Sequence, residues 1–207
     1  MRGVYVDERD STWERDDARY RVYVFEGAEN AVTAMDIVEA TVEEALQSAV
    51  AMSNGDEQLW SLALVETDAR GLRGLIWLSG MDYNDPPSSA REWQRRRQMQ
   101  DRYLAAKRRR GLPPTLPNGL RVIRMFPEWV SGWPLWENST EHYRLTAEDL
   151  GLAPELGQAL YDWNETWLDR QEDVPLPDGW REEGETLAQQ LRAKLSDVAE
   201  VRPEFLG

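Results

Sequence analysis

The chain has 207 residues, a formal charge of −14, no cysteine, one histidine and ten tryptophans in a 41% hydrophobic composition. Without cysteine there are no disulfides, thiolate zinc sites, iron–sulfur ligands or cysteine nucleophiles, and one imidazole excludes HExxH and two-histidine metal sites. No apolar run approaches the roughly 18 residues a spanning helix needs, and the charged segment 1–17 does not read as an export leader, so a folded cytoplasmic protein without a membrane partner is expected.

Residues 19–26 (RYRVYVFE) are rich in tyrosine, valine and phenylalanine and stop at Gly27, which predicts a strand; residues 32–38 supply its neighbour in a hairpin. Thr41-Val42-Glu43-Glu44 has the form of a capping box, in which the hydroxyl accepts from a first-turn amide and Glu44 reaches back. Val42, Ala45, Leu46, Ala49 and Val50 then recur at helical spacing as one apolar face, and Asn54-Gly55 supplies the stop. Residues 59–65 and 72–79 predict a second hairpin around Asp68-Ala69-Arg70-Gly71. The consecutive prolines of MDYNDPP, at 81–87, make that stretch a loop.

Ser89 to Glu92 forms a second capping box, and no glycine or proline follows until Gly111, which predicts one long helix. Its apolar residues, Trp93, Met99, Tyr103, Leu104, Ala105 and Ala106, make a poor stripe, so much of its surface is expected to face solvent or a partner, and the helix to bridge two halves. Residues 91–110 hold nine basic groups against Glu92 and Asp101, a local balance of +7, so the rest of the chain carries −21. LPPTLPN, at 112–118, is the best linker, dividing the chain into units 1–111 and 119–207 that are also able to pack as one.

In the second unit, residues 120–126 predict a strand, and Pro127, Gly132 and Pro134 argue against regular structure throughout the tryptophan-rich PEWVSGWPLWEN. A helix opening with Pro154 carries Leu156, Leu160, Trp163 and Trp167 on one face. A second, capped by Asp178, carries Trp180, Gly184, Leu187, Ala188, Leu191 and Leu195 and is expected to pack antiparallel to the first. Residues 198–201 return as a short edge strand limited by Pro203. The fold class is therefore α+β: an N-terminal antiparallel sheet with a packed helix, a long basic connecting helix, and a C-terminal strand with a two-helix unit.

The pattern running from Pro134-Leu135-Trp136 through Leu150-Gly151-Leu152, Leu156, Leu160 and Trp163 to Gly184, Leu187, Ala188 and Leu191 resembles a tryptophan- and leucine-patterned module of uncharacterised proteins from high-GC bacteria, over about 70 residues. The resemblance implies a fold unit and carries no activity.

No phosphate-binding, nucleophile-elbow or calcium-loop motif occurs, and no catalytic, cofactor-binding or metal residue is assigned. His142 reads as a surface histidine, and Asp82 and Asp85 as solvated turn residues. Arg95, Arg96 and Arg97, with the basic run 107–110, suit phosphate, yet pairing with this chain's own carboxylates stands ahead of that reading. Trp129, Trp133 and Trp136 are either loop anchors or ring faces for a ligand; Trp136 is expected to be a buried anchor, while Trp133, between Gly132 and Pro134, is expected to point outward. The candidate partner-binding residues are thus Trp129, Trp133, Arg95, Arg96 and Arg97. The leading functional reading is a cytoplasmic binding protein of immunity or inhibitor type, whose acidic surface takes a basic protein. The alternative is a nucleic-acid-associated protein using the helix at 91–110, and the third is an enzyme relying on carboxylates.

Overall fold

The computed structural model describes residues 3–129, 132–138, 142–170 and 174–206. Its hairpins arise where β-branched and aromatic residues alternate between turn signals. β1 (Tyr20–Glu26) and β2 (Ala31–Ile37) pair antiparallel without interruption from Tyr20↔Ile37 to Glu26↔Ala31. β1 also pairs β3 (Leu59–Thr67), which pairs β4 (Arg73–Ser79), so the first sheet has the order β2-β1-β3-β4.

Side-chain alternation gives this sheet two apolar faces, and each takes one helix. Tyr20, Val22, Val24, Trp60 and Leu62 pack under Ala45 and Ala49 of α1 (Val42–Met52). On the other face Phe25 and Leu59 meet Met81 and Tyr83 from the proline-containing loop and Met99 and Tyr103 of α2 (Ala90–Arg109). Both helices start at the expected capping boxes, Thr41 with Glu44 and Ser89 with Glu92. Gly80 lets α2 settle closely: at φ +71° its backbone suits glycine, and a Cβ there would stand 2.8 Å from Ser61 and 2.9 Å from Met99.

The second sheet has the order β7-β6-β5-β8: β5 (Arg121–Met125), β6 (Leu135–Trp136) and β7 (Arg144–Leu145) are antiparallel, and β8 (Ala199–Pro203) joins β5 in parallel as an edge strand. β6 corrects the reading of 127–138 as devoid of regular structure, although residues 130–131 of that stretch lie outside the described residues. Pro134 stands just before the strand, where its missing N–H costs no ladder bond, and its carbonyl accepts from Phe126 N–H at 3.0 Å.

The helices α3 (Pro154–Leu168) and α4 (Trp180–Lys194) complete this core with Leu160, Trp163, Trp180, Leu187 and Leu191 around Ile123, Met125, Leu135 and Val201. The rings of Trp163 and Trp180 stack at 4.3 Å, and each indole N–H donates to the other residue's carbonyl. Gly184 makes room for them, since a Cβ there would lie 2.8 Å from both Trp163 and Phe205. The N-cap of α4 is Gly179, not Asp178; its left-handed backbone (φ +84°) favours glycine, and no side chain caps the helix. The two sheets keep separate apolar cores and meet along α2, which touches both β3 and β8.

Candidate functional site

Arg95, Arg96, Arg97 and Arg102 of α2 lean on the protein, whereas Arg91, Arg108 and Arg109 are exposed. Arg96 lies over the Tyr83 ring at 3.9 Å, grips Glu200 through Nε (2.6 Å) and Nη2 (3.0 Å), and donates to the Tyr83 carbonyl at 2.7 Å. Arg97 stands 3.6 Å from Glu204, and Arg95 donates to the Trp77 carbonyl at 2.9 Å. Arg102 stacks on Trp60 at 3.8 Å, Lys107 donates to the Thr115 carbonyl, and Arg110 pairs with Glu57. Fully buried Gln100 donates to Tyr83 Oη (2.9 Å) and Glu200 (2.8 Å), while buried Arg202 donates to Asp101 and Glu204. Burial alone would raise the Glu204 carboxyl, but the hydrogen bonds from Arg124 and the charges of Arg202, Arg124 and Arg97 outweigh it and hold Glu204 below the usual carboxylate range. Arg96 thus has its guanidinium committed within the fold, Arg95 spends one donor on a backbone carbonyl, and Arg97 keeps a looser, partly exposed ion pair.

The tryptophans of 127–138 are likewise anchored, unequally. Buried Asn164 pins the stretch by accepting from Glu128 N–H at 3.0 Å. Trp129 packs on Trp167 at 4.1 Å with the Arg170 guanidinium alongside, and remains 54% exposed. Trp133, expected outside, lies half-buried and edge-on to Tyr161 at 5.7 Å. The cause is Gly132, seated so tightly on α3 that a Cβ would come 2.9 Å from Tyr161, which carries the next ring onto the helix. Trp136 stacks between Phe126 (5.4 Å) and Tyr143 (5.7 Å). His142 is exposed, and Asp82 accepts from Asn84 N–H at 3.0 Å within its own turn.

A third surface was not anticipated. The apolar face assigned to α1 divides in two: Ala45 and Ala49 are buried on the sheet, whereas Val42, Leu46 and Val50 stand outside it, 48%, 37% and 37% exposed. They form a row at i, i+4 and i+8, bordered by Glu43, Gln47, Ala51 and Gly55. On the same side of the sheet Met35 of β2 and Ile76 of β4 are exposed, opposite Val22 and Leu64 respectively. Across residues 22–69 the chain has ten carboxylates and no lysine or arginine. The available signals were residue size and charge: small residues at 45 and 49 suit close approach to a sheet, which leaves the larger ones outside, in a stretch without a cation. Comparison with protein-family models, curated proteins and solved structures finds no match to this chain.

Proposed function

We propose that this protein binds another protein of basic character on the α1 side of its N-terminal sheet, in the manner of an immunity or inhibitor protein. One observation carries the reading: the exposed row Val42, Leu46 and Val50 lies in a stretch of ten carboxylates and no basic residue. An apolar row left in water marks an interaction surface when polar residues rim it, and an acidic stretch, Glu43 of which borders the row, steers a cationic partner. The nucleic-acid reading is weakened by the inward commitment of Arg96, which grips Glu200 through two nitrogens.

The test is a photocrosslinking residue, p-benzoylphenylalanine, in place of Leu46 in living cells, with the same residue in place of exposed Gln189 on α4 as control. Adducts with basic proteins specific to position 46, and fewer of them at high salt, are expected. No adduct above the control, or adducts removed by nuclease, would reject the proposal.

A further inference from the structure

An outer strand presents one row of unpaired N–H and C=O groups, and soluble proteins blunt such rows with lysine, proline, a bulge or a covering element. β2 has none of these. Its sequence AVTAMDI contains no lysine, arginine or proline, and its register with β1 is unbroken over seven pairs. Residues 31–35 are all exposed, and among the described residues no strand pairs with its outer side. Its single charge, Asp36, is already held by Arg21 at 2.6 and 3.1 Å and by Arg19 at 3.4 Å. The other edge is guarded: β3 and β4 shift register at Leu62/Ala63, Arg73 opens β4, and the Trp77 carbonyl accepts from Arg95.

Charge decides what β2 can accept. Glu26 and Glu29 stand at its turn end and Glu39 just beyond its far end. An antiparallel second copy would bring each Glu39 toward the other copy's Glu26 and Glu29, a like-charge arrangement at both ends. The chain's own segment 3–17 is equally unsuited, with six carboxylates against Arg9 and Arg15. We infer that β2 receives an extended segment of a basic partner as a fifth strand, its middle uncharged and a lysine or arginine near each end. Backbone hydrogen bonds supply attachment in such strand addition, and the flanking charges supply selection. From the proposed function the inference takes only the basic character of the partner.

The probe is a synthetic peptide of alternating valine and threonine with a lysine pair at each end, compared with the same peptide carrying glutamates, added to the full chain and followed by amide hydrogen exchange. Saturable binding of the lysine peptide, with β2 amides exchanging at least about tenfold more slowly, is expected, and Glu26→Lys with Glu29→Lys lowers the affinity by a similar factor. Absence of binding, equal binding of the glutamate peptide, or protection confined to residues 42–50 would overturn the strand site. The last result leaves the α1 reading standing; protected β2 with no crosslink from position 46 does the reverse.

Discussion

Trp163 and Trp180 show how a buried polar atom is accommodated without a polar pocket. An indole is mostly hydrocarbon with one N–H, and burying that donor unpaired costs more than a typical hydrogen bond returns. Here stacking at 4.3 Å leaves each N–H aimed at the partner's backbone carbonyl, at 2.9 and 3.0 Å. Trp163→Phe keeps most of the ring and removes the indole donor, while the Trp180 carbonyl keeps its helical bond, so it should cost about 0.5–1.5 kcal/mol. Trp163→Ala also opens a cavity and should cost about 3–5 kcal/mol. Urea unfolding of both variants measures the two losses; a Trp163→Phe variant as stable as the parent would show that the hydrogen bond adds nothing to packing.

At the scale of elements, α1 has two apolar rows with different tasks. Leu46→Glu, on the exposed row, should cost no more than about 1 kcal/mol, because the side chain is only partly covered and the new charge stays solvated. Ala49→Leu, on the buried row, should cost about 1–3 kcal/mol by overpacking against the sheet. Thermal melts of the pair decide which row holds the helix down. Elements with local signals were legible beforehand: Thr41 and Ser89 announce α1 and α2, Pro154 announces α3, and turn residues bracket both N-terminal strand pairs. β6 was not, since two residues become a strand only when β5 and β7 lie on either side. Of the candidate binding residues, the chemistry of Arg96 was legible and its partner was not, because Glu200 lies 104 positions away. The α1 row was hidden for a related reason: a helical wheel shows which residues are apolar, not how much of that arc a sheet covers.

At the scale of the molecule, the N-terminal and C-terminal halves, each with its own apolar packing, are joined by a polar seam of arginines and carboxylates between α2, β5 and β8. Glu204 is its most contacted acid, meeting Arg97, Arg124 and Arg202. A carboxyl held below its unfolded value, about 4.3 for glutamate, contributes stability at neutral pH and loses it as pH falls through the lower folded value. Acidification below about pH 4 should therefore weaken the seam. Glu204→Gln should be less stable at pH 7 and lose less on acidification; urea midpoints across that range measure both. A variant with the parent's full acid sensitivity would remove Glu204 from this role.

The seam also imposes an order in time. Its bonds from Arg96 and Arg202 join residues 104 and 101 positions apart, whereas the capping boxes and hairpins close over a few residues. Closing a long loop costs more chain entropy than closing a short one, so local elements form first and the seam waits for both halves. Until β8 arrives, Arg96 and Gln100 lack Glu200 and Arg97 lacks Glu204, so the face that ends as the interior carries, for that interval, uncompensated positive charge.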